Sequence, residues 1–319
     1  MQTTILKSLR RIHAVIDPDR SAFGRNWHMF PAKEYASKLI SGALTAAAPL
    51  MIARLGSTEL QCMVNYLGVS QPEKFKSVKG FVTNQTPPWW WNKSALQQIQ
   101  NWSGFFPPTV EKVEKFCELM IEDLPQVDIL GSWLKHESFF AAELENSKKV
   151  MLEDLEPFFC ATPWTHALAG KKVLVVHPFY ESIQNQYKKR ELIFPDGLLP
   201  EFDLQVIPAV QSLGGQSTSY SDWFGALDAM KATIDALKFD ICLLGCGAYG
   251  FPLAAHIKRQ GRKAIHLGGA TQLLFGIKGR RWEQYIVYPY SNLFNEHWVR
   301  PNSTETPPVS QAVEGGCYW

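Results

Sequence analysis

Residues 239–267 read FDICLLGCGAYGFPLAAHIKRQGRKAIHL, and this stretch decides the fold. Phe239–Leu244 is a short β-forming run, Gly245 to Gly250 a glycine-rich turn, and Pro252 and Gly261 bracket a helix before the second β-run, Lys263–Leu267. Proline fits a first helical turn, where its missing N–H costs nothing, and glycine accepts the left-handed conformation that ends a helix. Two strands joined through one helix run parallel, because an antiparallel pair would need only a tight turn.

The same rhythm extends outward. β-rich runs recur at 50–54 (LMIAR), 127–131 (VDILG), 172–177 (KVLVVH) and 204–208 (LQVIP). In TVEKVEKFCELMIEDL the apolar residues Val113, Phe116, Cys117, Met120, Ile121 and Leu124 keep helical spacing behind a Thr109 cap. SDWFGALDAMKATIDAL does the same through Trp223, Phe224, Leu227, Met230, Ile234 and Leu237 behind Ser221. Alternating strands and helices predict a doubly wound α/β fold, Rossmann-like, with a mostly parallel sheet covered on both faces. A boundary near Gly170 divides the chain into an N-terminal α/β part (1–170) with an aromatic-rich insert, a nucleotide-binding-like part (171–299) and an irregular tail (300–319). One continuous domain is the other division the pattern allows.

Composition narrows the classes. With 319 residues, 46% hydrophobic, and a formal charge of +2, the chain has material for a large core and lacks the bulk basicity of a nucleic-acid binder. Its six cysteines show no metal-ligand spacing and several lie in the best helix and strand patterns, so they read as reduced core residues of a cytoplasmic protein. No apolar run has the length of a membrane span. Lys7, Arg10, Arg11 and His13 share a short helix with Ile5, Leu9 and Ile16, which allows peripheral contact with a membrane or docking of the helix on the body.

Three constellations carry polar chemistry at strand ends, where open α/β sheets bind ligands. In ARLGSTEL, Gly56 closes a strand, Ser57 is placed to cap the next helix, and Glu59 enters its first turn beside Arg54. In GCGAYG, Gly245, Gly247 and Gly250 match G-x-G-x-x-G, with Ala248 and Tyr249 between them; a helix N-terminus of this kind binds phosphate. The following strand ends in His266, Gly268 and Gly269 without a ribose-binding Asp or Glu, so a nucleotide or sugar-phosphate pocket is favoured over NAD. In VVHPFYESIQNQYKKREL, His177 ends a strand and Ser182, Gln186, Tyr187 and Arg190 form an expected substrate rim, with Glu181 beside them. Lys278 and Arg281, with Arg280, stand by a glycine turn suited to phosphate, and Trp89, Trp90 and Trp91 offer aromatic faces for a sugar.

RLGSTE resembles the R-F-G-D-G-E signature of the GT-D-fold glycosyltransferases, and FDICLLGCGAYGFPLAAHIKRQGRKAIHLGG resembles that family's closing strand, turn, helix and strand. HLGGATQLLFGIKGRRW and the VEGGCYW ending are similar to a group of bacterial proteins associated with surface polysaccharides. The resemblance implies a nucleotide-sugar donor, a glycan or lipid-linked glycan acceptor, and a divalent cation (Mn²⁺ or Mg²⁺) held by an Asp-x-Glu pair. Here the Asp position is Ser57 and only Glu59 remains, which leaves metal-bound and metal-free versions of the site. Glu59 and His177 are the expected catalytic residues. Two alternatives from other classes are an NAD(P)-dependent oxidoreductase using the Gly245 turn and a non-catalytic nucleotide-sugar or glycan-binding protein.

Overall fold

The computed structural model describes residues 2–16, 32–216, 218–285, 288–313 and 315–319. Seven strands, β1 Leu50–Ala53, β2 Ile129–Ser132, β3 Lys148–Met151, β4 Lys172–His177, β5 Asp203–Pro208, β6 Ile241–Leu244 and β7 Lys263–His266, build one sheet. Their order is β3-β2-β1-β7-β6-β4-β5, and every neighbouring pair is parallel. Ile52 stands opposite Ile129 on one side and Ile265 on the other, so the expected strands meet in the middle of the sheet.

The helices α1 Gln2–Ile16, α2 Lys33–Thr45, α3 Ser57–Ser70, α4 Pro72–Phe75, α5 Val78–Val82, α6 Lys93–Ser103, α7 Val110–Asp123, α8 Tyr180–Tyr187, α9 Arg190–Ile193, α10 Trp223–Asp235, α11 Gly250–Arg259 and α12 Arg280–Glu283 surround it. The pleat sorts the strand residues into two cores. Met51, Ala53, Leu130, Leu174, Val176, Cys242 and Leu244 join one buried cluster with residues of α3, α7, α10 and α11. Leu50, Ile52, Ile129, Val173, Val175, Ile241, Leu243 and Ile265 join the other, with α2 and α8. Burial on both faces explains why the strands read as unbroken apolar runs, and each aliphatic side chain taken from water contributes about 2 kcal/mol.

Local expectations meet three corrections. Thr109 does cap α7, accepting the Lys112 N–H at 3.4 Å. For α10 the cap is Asp222, not Ser221: its Oδ1 accepts the Gly225 N–H at 2.9 Å, which a carboxylate one residue closer to the helix does with less chain to order. At α3 the N-cap is Gly56, and Ser57 is the first helical residue with no capping bond of its own. The third concerns β3, which the sequence pattern does not announce. It is a four-residue edge strand whose Lys148 and Lys149 are exposed, the composition by which an edge avoids pairing with other chains.

One sheet spans both sides of Gly170, since β1 pairs with β7. The described residues after 300 include two short turns, Ser303–Glu305 and Ser310–Ala312. Buried Glu305 accepts N–H bonds from Glu181 (2.7 Å) and Ser182 (3.1 Å), so the tail supplies the carboxylate that caps the start of α8. Among the described residues no helix is long and apolar enough to cross a membrane.

Candidate functional site

The chain leaves β4 toward β5 on one side and leaves β6 toward β7 on the other. A crevice opens where such connections diverge. In this molecule it has a volume of about 380 Å³ and takes residues from beyond the carboxyl ends of all seven strands.

From β1 come Arg54, Gly56, Ser57 and Glu59. Glu59 is 9% exposed, sits in the first turn of α3, and has no hydrogen bond or ion pair among the described residues. Its carboxylate lies over Gly56, so close that a Cβ at that position would make the Glu59 side chain shift. The Arg54 guanidinium lies 5.4 Å from the centre of the Trp133 ring, and Trp133 is held by a 2.9 Å bond from Nε1 to the Leu55 carbonyl.

β4 and β7 end in buried histidines. The Phe179 N–H donates to His177 Nδ1 at 2.9 Å, and burial pushes this imidazole down to about 3. Nδ1 is thus an acceptor and the proton of the neutral ring is on Nε2. This corrects the expected base: a ring whose lone pair is already engaged by a backbone N–H can donate from Nε2 but has no free nitrogen to take a proton. His266 is also pushed down to about 3, by burial and then by the Arg54 charge, with Nδ1 3.4 Å from the Leu244 carbonyl.

The glycine-rich turn divides in two. Gly245 and Gly247 line the crevice, Gly247 with φ +56°, but Ala248 and Gly250 do not. Ala248 is buried in the core, and Gly250 packs so closely on His266 that a Cβ would strike the ring. Tyr249 reaches the crevice wall but stacks on Trp223, ring centres 5.0 Å apart. Of the phosphate-binding fingerprint only the first two glycines line the crevice. Gly268 and Gly269 line the wall next to β7, Gly269 against Tyr318. Arg281 completes it from α12, its guanidinium 4.6 Å from the Tyr318 ring centre and 3.1 Å from the Tyr318 hydroxyl.

The expected rim on α8 and α9 is corrected throughout. Ser182 Oγ donates to Glu305, Gln186 Nε2 donates to the His297 carbonyl at 2.8 Å, the Tyr187 hydroxyl donates to the Phe202 carbonyl at 2.8 Å, and Arg190 pairs with Glu191 and Glu201. Their polar atoms join separate parts of the fold, and none lines the crevice. Neither do Glu181 and Lys278; Lys278 Nζ lies 6.0 Å from the Phe294 ring centre.

Several wall residues carry no motif. Trp133 follows β2, Glu153 and Glu156 follow β3, Gln211 and Ser212 follow β5, and Tyr285, Tyr290, Tyr318 and Trp319 come from the last forty or so residues. Position just beyond a strand end is the signal that marks the first three groups; the tail offers no such signal. Glu156 accepts from the Tyr290 hydroxyl, and burial pushes its carboxyl up to about 7. Gln272 is fully buried with its Nε2 donating to the Ile277 and Tyr318 carbonyls, both at 3.1 Å, while its Oε1 has no partner among the described residues; Gln211 Nε2 is likewise buried without one among them.

A cation centre built by the protein alone needs several oxygen donors, whereas Mg²⁺ shared with substrate phosphates and water takes as few as one or two carboxylates. Among the described residues no three His, Cys, Asp or Glu side chains are grouped to hold a metal, and Ser57 adds only a hydroxyl beside Glu59. The donor set does not fit a protein-built metal centre. Comparison with known proteins gives no match: no family model, no curated protein and no solved structure aligns with this chain.

Proposed function

We propose that the protein is a glycosyltransferase that moves a sugar from a nucleoside diphosphate to a glycan or lipid-linked glycan acceptor, in the synthesis of a bacterial surface polysaccharide. The observation that carries the proposal is Glu59, a carboxylate nine-tenths buried in a crevice with Arg54 and Arg281 in its walls and without a protein partner among the described residues. An unpaired buried carboxylate is costly, and proteins keep one where a ligand completes it. The amide atoms of Gln211 and Gln272 in the same walls that have no partner among the described residues support a polar ligand with both donors and acceptors.

Two guanidiniums suit a diphosphate, whose charge they neutralise and orient. The backbone turns at Gly245–Gly247 and Gly268–Gly269 allow a phosphate to approach the main chain closely, and His177 adds an Nε2–H donor. In transfer, the bond between the anomeric carbon and the diphosphate oxygen breaks and that oxygen leaves with the electron pair. The acceptor oxygen bonds to the carbon, and its proton passes to Glu59. Charge growing on the leaving diphosphate is stabilised by donors already in place. Trp102 and Trp133 present aromatic faces to the apolar face of a sugar ring.

The oxidoreductase alternative draws less support. Beyond Gly247 the fingerprint turns into the core, and β7 ends in His266 where a dinucleotide fold places its ribose-binding acid.

Thermal unfolding against a panel of UDP-, GDP-, CMP- and dTDP-sugars and NAD(P)H tests this. One nucleotide sugar is expected to raise the midpoint by a few degrees at about a hundred times its dissociation constant, with release of nucleoside diphosphate when acceptor is added. Stabilisation by NAD(P)H alone would overturn the proposal, and binding of a nucleotide sugar without turnover would reduce the protein to a carrier.

A further inference from the structure

The glycine turn that follows β7 touches both arginine-bearing parts of the crevice wall. A Cβ on Gly268, which has φ +63°, would meet the Arg54 side chain at 3.6 Å, and one on Gly269 would strike the Tyr318 ring at 2.3 Å. Arg54 follows β1, the strand paired with β7. Tyr318 brings the second cation: Arg281 Nη1 donates to its hydroxyl at 3.1 Å, with the guanidinium 4.6 Å from the centre of its ring. All five of these residues line the crevice. At Gly245, by contrast, a Cβ would strike His177 and Thr271, neither of which is charged.

Arg281 is pinned at both its main chain and its side chain. Its backbone N–H donates to the Cys317 carbonyl at 3.0 Å, and its Nη2 lies 3.2 Å from Cys317 Sγ. The residues that hold it are themselves fixed. Fully buried Gln272 donates from Nε2 to the Tyr318 carbonyl at 3.1 Å, Arg300 Nη1 donates to the Trp319 carbonyl at 3.0 Å, and Trp319 Nε1 donates to the Glu305 carbonyl at 3.3 Å. A mobile arginine gives up rotamer freedom when it binds an anion, and a fork that is already oriented gives up less. A phenol hydroxyl orients the guanidinium without cancelling its charge.

We propose that the diphosphate of the donor sits over the Gly268–Gly269 turn between Arg54 and Arg281, and that Tyr318 is the positioning residue that presets Arg281. The identity of the ligand rests on the nucleotide-sugar reading; its place rests on the geometry of the wall. Glycine lets a phosphate come close to the main chain, and two guanidiniums match the two charged groups of a diphosphate. A nucleoside offers them no anion.

Calorimetric titration of the full chain with UDP, GDP and dTDP, with the corresponding nucleosides and with inorganic pyrophosphate tests the proposal. One nucleoside diphosphate should bind more tightly than its nucleoside, and pyrophosphate should compete with it. Tyr318→Phe keeps the ring and removes the hydroxyl, so it should weaken the diphosphate about tenfold and leave the nucleoside unchanged. Arg281→Gln should weaken the diphosphate by at least as much. Adding Tyr318→Phe to Arg281→Gln should have no further effect, whereas adding it to Arg54→Gln should still weaken binding about tenfold. Equal weakening of the nucleoside, or a loss that adds in full to that of Arg281→Gln, makes Tyr318 a packing residue and overturns the proposal. So does a wild type that binds neither pyrophosphate nor any of the diphosphates. Pyrophosphate bound with this dependence on Arg281 and Tyr318, and no nucleoside diphosphate bound, would uphold the anion site and sink the nucleotide-sugar reading.

Discussion

The two glycine turns that flank the crevice, GSTE after β1 and GCGAYG after β6, begin alike and finish in opposite places. In the first, the residues after the glycine start a helix whose first turn delivers Glu59 to the crevice with no protein partner among the described residues. In the second, they turn inward: Ala248 is buried, Tyr249 stacks on Trp223, and Gly250 lies against His266. Glycine spacing therefore reports where backbones approach closely. It does not report which side of the approach belongs to a ligand. The turns are separated by the chemistry of the next residues, a carboxylate in one and small or aromatic packing groups in the other.

The largest effect that would break this contrast is on turnover. If Glu59 takes the acceptor proton, Glu59→Gln lowers kcat about 10²- to 10⁴-fold in a nucleoside diphosphate release assay, with the unfolding midpoint unchanged or raised. A loss of stability with activity retained would make Glu59 a packing residue like Gly250. Next comes acid. His177 and His266 are held down to about 3, so below the ordinary imidazole value near 6.5 the unfolded chain takes up protons that the fold does not, and stability falls as pH drops from about 6.5 toward 3. The midpoint should fall by roughly 5 to 10 °C between about pH 7 and about pH 5, and His266→Asn should flatten the slope. A midpoint that holds steady across that interval would mean the second turn does not keep its histidines dry.

Gly250→Ala sharpens the contrast by stability alone. Forcing a methyl group against the His266 ring should cost about 1–3 kcal/mol, read by denaturant unfolding. No cost would mean the turn can yield and leave its packed arrangement. The smallest effect belongs to Ser57→Ala. Because Ser57 is the first helical residue and not the cap, stability should change by less than about 0.5 kcal/mol. A loss near 1 kcal/mol in urea unfolding would restore it as the cap.

Much of the fold was legible because burial on both sheet faces writes strands as apolar runs, and helices with one dry face write their own period. β3 was not, since an edge strand with two exposed lysines carries neither signal. Among site residues, Glu59, Arg54, Gly245 and His177 were legible from their place at strand ends. Ser182, Gln186, Tyr187 and Arg190 were misread because a dense run of polar residues shows donors and acceptors but not their partners. Ser182 meets Glu305, 123 residues away, and Gln186 meets a carbonyl 111 residues away. His177 was placed correctly and given the wrong role; the Phe179 N–H that occupies its nitrogen is a matter of local backbone geometry.

The strand order has a consequence for how the chain assembles. β7, among the last elements to be synthesised, sits in the middle of the sheet between β1 and β6. During synthesis β1 can pair with β2, but its other side stays open until residues 263–266 leave the ribosome, more than two hundred residues after β1 itself. An apolar strand edge held open that long is a site for mispairing. Chains cut short before Lys263 should therefore collect as aggregates, and Ala264 and Ile265 close the sheet in time as well as in space.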